Sequence, residues 1–198
     1  MEFFKRIVRV IVRAGIILYC KVVYRLKVTG KENRVKNGAV IFCGNHRTYI
    51  DPPLIVVTSG RNVRFLAKEE LYKSKFLSIL GWAFNCIAVK RDNKDIGALK
   101  STLKALKNNE AIAMFPEGTR NGLAKGEEVK EGAAFFTLKT GAKIQPVGIT
   151  GGSKPFEKIY VNYGKPLDFS EYASKNPSKE DLAKVSKEIM DNIIMLTK

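Results

Sequence analysis

The stretch Ala39-Val40-Ile41-Phe42-Cys43-Gly44-Asn45-His46-Arg47-Thr48-Tyr49-Ile50-Asp51-Pro52-Pro53 sets the architecture. Ala39 to Cys43 is an apolar run of strand length that ends on a glycine. A polar loop follows, then a proline pair. Proline is tolerated in the first turn of a helix, where its missing N–H has no partner to lose. Strand, loop and helix in that order are the unit from which α/β domains are built, and the loop at such a strand exit is where these folds hold ligands.

The same alternation extends in both directions. Further β-rich runs stand at Leu26 to Thr29, Val63 to Ala67, Cys86 to Val89, Ala111 to Phe115, Ile144 to Ile149 and Ile159 to Tyr163. Helical patterns separate them at Pro52 to Thr58, Ser74 to Phe84, Lys94 to Lys107 and Val129 to Thr140, and a last one runs from Ser178 to Leu196. Gly30, Gly60, Gly141 and the Gly151–Pro155 loop punctuate the pattern. No linker, low-complexity tract or internal repeat divides residues 28–198. The expected fold is therefore a single α/β layered domain with a mixed, largely parallel sheet flanked by helices.

Residues 1–27 read differently. The segment from Phe3 to Leu26 is mostly apolar, but Lys5, Arg6, Arg9, Arg13, Lys21 and Arg25 interrupt every window long enough to span a bilayer. On a helix, Lys5, Arg6, Arg9 and Arg13 share one face, while Phe3, Phe4, Ile7, Val8, Ile11 and Val12 cover much of the remainder. Seven basic side chains stand against Glu2 alone. The segment is expected to be an amphipathic, membrane-anchoring helix lying among anionic headgroups. The alternative is an amphipathic helix packed on the domain's own core.

Composition narrows the function. The chain has 198 residues, 45% apolar and 27% charged, an ordinary globular mixture. Its formal net charge of +16 points to phosphorylated ligands, anionic lipid, an acidic carrier protein or nucleic acid. Cys20, Cys43 and Cys86 are odd in number and lie in apolar surroundings, which reads as buried thiols in a reducing compartment. His46 is the only histidine, so a multi-histidine metal site is excluded and imidazole chemistry must pass through one residue.

Two segments concentrate reactive side chains. In the opening stretch, a tight turn between His46 and Asp51 would let the carboxylate accept a hydrogen bond from one ring nitrogen, fix the tautomer and leave the other nitrogen as a base. No serine stands close by, and Cys43 reads as a buried thiol of the apolar run, so the base would act on a hydroxyl brought by a substrate. Asp51 before Pro52 is also a good helix N-cap, and both roles can coexist. The second segment is Phe115-Pro116-Glu117-Gly118-Thr119-Arg120, again at a strand exit. Pro116 and Gly118 bend the backbone, and Arg120 offers a forked grip on phosphate or carboxylate. An ordinary solvated turn with a Glu117–Arg120 pair is the plainer alternative.

Together, Asn45-His46-(four residues)-Asp51 and, about 70 residues on, Phe115 to Arg120 resemble the glycerolipid acyltransferase family that includes bacterial 1-acyl-glycerol-3-phosphate (lysophosphatidate) acyltransferases. The resemblance covers nearly all of residues 25–165. It implies that His46 is the base and Asp51 its orienting partner, with Glu117, Gly118, Thr119 and Arg120 holding the acceptor's glycerol phosphate. It also places basic Lys68 and Arg91 near that phosphate. The family's glycine and phenylalanine before the latter arginine are replaced here by Asn85 and Ala88.

The implied reaction is transfer of an acyl group from acyl-ACP or acyl-CoA, as co-substrate, to lysophosphatidic acid. A thioester is already activated, so no cofactor or metal is expected. The implied location is the cytoplasmic face of the membrane, against anionic lipid. Another lysolipid or glycerol-3-phosphate is the alternative acceptor. A basic membrane- or nucleic-acid-binding module would explain the charge but not the paired motifs, and no nucleic-acid partner is expected.

Overall fold

All seven expected strands form: β1 (Lys27–Thr29), β2 (Val40–Gly44), β3 (Val63–Lys68), β4 (Ile87–Val89), β5 (Ala111–Met114), β6 (Lys143–Gly151) and β7 (Ile159–Tyr163). The structure is a computed structural model that describes residues 1–90, 95–152, 154, 156–173 and 176–198. The strands hydrogen-bond into one sheet in the order β1-β7-β6-β2-β5-β3-β4. Strands β2 to β6 run parallel, while β7 is antiparallel to β6 and parallel to β1. The sheet is therefore mixed and largely parallel, and five strands end on one edge.

Among the described residues six α-helices accompany it: α1 (Glu2–Tyr24), α2 (Asp51–Thr58), α3 (Lys75–Ala83), α4 (Ile96–Lys107), α5 (Gly132–Thr140) and α6 (Lys179–Met195). Side chains alternate across the sheet, so each central strand feeds two cores. Ile41, Ile112 and Ile144 pack under α4, α5 and α6. Val40, Phe42, Ala111 and Ala113 pack on the other face with Leu54 and Ile55 of α2 and Cys20 of α1. Leu54 and Ile55 are fully buried, each contributing about 1.5–3 kcal/mol relative to exposure. Cys20 and Cys43 are fully buried as expected, and burial pushes the Cys20 thiol up to about 11. Cys86 is half-buried.

Helix α1 lies on the domain, and its orientation corrects one expectation. Of the basic stripe only Arg6 faces outward, while Lys5, Arg9 and Arg13 turn toward the domain. Lys5 donates to Asn85 Oδ1 at 2.7 Å, the Arg9 side chain is mostly covered, and Arg13 donates to the carbonyl oxygens of Val56 (2.7 Å) and Arg61. For Arg13 the cause is local: Val56 lies in the last turn of α2, whose carbonyls lack helical partners and attract a cation. Val8, Val12, Ile16 and Tyr24 pack on the core beside this stripe. The opposite face leaves Phe3, Phe4, Val10, Ile11, Leu18 and Val22 exposed. Among the described residues no helix is long and apolar enough to cross a membrane.

Candidate active site

Register brings the two sequence segments together. Strands β2 and β5 are neighbours, with Cys43 paired to Met114. His46 and Glu117 each lie three residues beyond that pair, so both emerge at the same level of the sheet edge, on strands about 4.8 Å apart. The His46 N–H donates to Glu117 Oε1 at 2.9 Å, and the Asn121 N–H donates to the His46 carbonyl at 2.6 Å. The turn after β5 thus clasps the backbone on both sides of the histidine ring. Phe115 completes the seat, its ring stacked on the imidazole with centroids 4.3 Å apart.

Asp51 organises the first turn from within. Its Oδ2 accepts the N–H groups of Arg47 (2.5 Å) and Thr48 (2.6 Å) and lies 3.2 Å from His46 Nδ1, while Oδ1 accepts the Thr48 hydroxyl at 2.9 Å. The carboxylate is 2% exposed and the imidazole 18%. A carboxylate so buried must be hydrogen-bonded, and this one is, by the loop it closes. The N-cap expectation for Asp51 is corrected: the cap position is Ile50 and carries no side-chain cap bond. Had Asp51 been the cap, one of its two usual donors would have been Pro53, which has no N–H. The carboxylate turns back to the loop instead.

The second turn is braced from outside. Glu117 is 5% exposed, with its carboxylate at the His46 backbone. Gly118 has a φ of +71°, which favours glycine, and the Lys130 side chain packs over it, with Cγ 2.9 Å from where a Cβ would stand. Thr119 donates its hydroxyl to Glu127 Oε1 at 2.8 Å, and the Lys130 N–H donates to the Pro116 carbonyl at 2.7 Å. Arg120 is half-buried, its guanidinium 3.7 Å from the centroid of the Tyr49 ring. Stacking covers one face of the guanidinium and leaves its N–H edge available.

Lys68 stands exposed at the end of β3, on the same sheet edge. Arg91 lies outside the described residues. The structure also gives roles to residues in which sequence reasoning saw no function. The Asn45 amide pairs with both the carbonyl (2.9 Å) and the N–H (2.7 Å) of Ile149, prolonging the β2–β6 ladder by a side chain. Thr48, three residues before Asp51, gives both its N–H and its hydroxyl to that carboxylate. Phe115 and Asn121 act through tertiary contacts that spacing does not reveal.

An imidazole with one nitrogen on a buried carboxylate and one edge open, beside an arginine with a free fork, can take a proton from a bound hydroxyl and hold an anion nearby. Comparison with known proteins agrees with this chemistry. The chain is 30% identical over 166 residues to a 1-acyl-sn-glycerol-3-phosphate acyltransferase of Borreliella burgdorferi, covering 77% of this chain and 66% of that protein. It is 27% identical over 178 residues to the enzyme of the same name from Bacillus subtilis, covering 85% and 86%. The crystal structure of the 1-acyl-sn-glycerophosphate (LPA) acyltransferase PlsC from Thermotoga maritima superposes with a TM-score of 0.73 at 26% identity, over 97% of this chain and 79% of that one. The family model described as Acyltransferase matches residues 25–150, from just before β1 to the end of β6 and across both turns, and the chain belongs to that family.

Proposed function

We propose that this chain transfers a fatty acyl group from acyl-ACP or acyl-CoA to the sn-2 hydroxyl of lysophosphatidic acid, giving phosphatidic acid at the cytoplasmic face of the membrane. The observation that carries the reading is the Asp51-held imidazole of His46 seated against the Glu117–Arg120 turn. Family membership and the names of the relatives support the same reaction.

Asp51 holds the proton on Nδ1, which leaves the Nε2 lone pair to accept the proton of the acceptor hydroxyl. The acceptor oxygen bonds to the thioester carbonyl carbon, and the C–S bond breaks as the tetrahedral intermediate collapses. The proton then passes from Nε2 to the departing sulfur, whose thiol pKa near 8.5 makes it a good leaving group. Atoms balance with no acyl-enzyme and no cofactor. Arg120, with Lys68 and Arg91, holds the phosphate so that the hydroxyl meets His46 as a positioned neighbour. Glu117, Gly118 and Thr119 form the rigid turn that sets Arg120 and the histidine backbone.

Both lipids of this reaction live in a leaflet, while the thioester arrives from water. The outward apolar face of α1 meets the first requirement and the chain's positive charge the second. The test is thiol release from acyl-CoA and acyl-ACP against lysophosphatidic acid, other lysolipids and glycerol-3-phosphate. The fastest release is expected with lysophosphatidic acid. Thiol release that no acceptor accelerates would contradict the proposal.

A further inference from the structure

The loop between β6 and β7 carries an anomaly that the reaction above leaves unused. Phe156 is 74% exposed, and its φ is +70°, a region that bulky L-residues rarely enter. An aromatic side chain held in water on a strained backbone costs stability twice, and such outliers persist where the surroundings fix them for a purpose. Here the surroundings are specific. The Phe156 N–H donates to the Val23 carbonyl at 2.5 Å, which ties the loop to the last turn of α1. At its other root, Arg47 of the histidine turn donates to the Gly151 carbonyl at 2.9 Å.

We infer that Phe156 is a second membrane-insertion point, which enters an anionic leaflet beside the end of α1 and presses the active-site edge of the sheet against the lipid. The inference rests on the reading of α1 as a helix lying on the membrane. Two features select lipid as the occupant. Phe156 is bonded to the C-terminal end of α1 through the Val23 carbonyl, in the turn where Val22 and, four residues earlier, Leu18 are themselves 61% and 64% exposed. Lys154 and Lys158 flank it in the loop and Lys21 and Arg25 flank Val23, all four exposed, while Glu157 accepts the Lys154 N–H within its own turn. An exposed aromatic flanked by exposed cations matches the interface of an anionic bilayer. With α1 alone, the domain could pivot about one helix. A contact at Phe156, hydrogen-bonded to α1 and linked through Gly151 to the histidine turn, fixes which edge faces the lipid.

The test uses the full chain and vesicles of phosphatidylcholine with phosphatidylglycerol. In the Trp82→Phe, Phe156→Trp double variant, residue 156 carries the sole indole. Its emission should shift to the blue on vesicle addition and be quenched by lipids brominated near the headgroup end of the acyl chain. Sedimentation with full quenching supports the inference, and sedimentation without quenching overturns it while leaving the α1 reading intact. Failure of the wild-type chain to sediment would overturn both. The second measurement is Phe156→Gly, which suits the positive φ. Vesicle partitioning should fall about tenfold, while the unfolding midpoint stays unchanged or rises. A residue with a merely structural role would give the opposite pattern, a lower midpoint with unchanged partitioning.

Discussion

The two turns at the sheet edge are built on opposite plans. The turn after β2 is closed by one of its own side chains, with the Asp51 carboxylate gathering two N–H groups, a hydroxyl and the imidazole. The turn after β5 is braced by neighbours: Glu127 on Thr119, Lys130 on Pro116 and Tyr49 on Arg120. The first plan suits a group whose proton chemistry tolerates little displacement. The second suits a binding fork that must meet an anion of the substrate. The difference predicts that substitutions in the first turn act on turnover, and those in the second mainly on acceptor binding.

Asp51→Asn should show the largest effect. It removes the charge that faces Nδ1 and pits an NH2 group against backbone donors, so kcat should drop about 10³–10⁴-fold. A loss confined to KM would break the contrast between the turns. Next comes Glu117→Ala, which leaves the His46 N–H without its buried acceptor. Denaturant unfolding should show a loss of about 1–3 kcal/mol, and Glu117→Gln, which keeps an acceptor oxygen, should recover most of it. Equal destabilisation by both variants would mean that charge and not hydrogen bonding is what the position supplies. Arg120→Lys keeps the charge and loses the fork. The acceptor KM should rise about tenfold with kcat little changed. The smallest effect belongs to Tyr49→Leu, the exception by position: Tyr49 stands in the first turn but its ring stacks on Arg120 of the second, so losing a partner worth about 0.5–1 kcal/mol should raise the same KM about two- to fivefold.

The fold was legible because each strand is a short apolar run bounded by glycine or polar residues, and each helix repeats at its own period. All seven runs became strands of one sheet. The pairing of His46 with Asp51 was legible too, since five residues of separation allow only a few closed turns. Other features depend on contacts between distant segments. The position of Lys5, Arg9 and Arg13 on one side of α1 follows from periodicity, but their partners, Asn85 for Lys5 and the Val56 carbonyl for Arg13, lie on distant segments. Similarly, Glu117 looked like a ligand for substrate, and its bond to the His46 backbone exists only because β2 and β5 are adjacent in register. The Asn45 amide reads as a polar loop residue until β6 is placed beside it.

The central claim is that the one imidazole of the chain accepts the acceptor's proton. Thiol release from acyl-CoA with lysophosphatidic acid, measured for His46→Ala beside the wild-type chain, tests it most directly, because no second histidine can substitute. The account predicts a fall of about 10²–10⁴-fold with unfolding and vesicle binding unchanged. Turnover near the wild-type rate would contradict it.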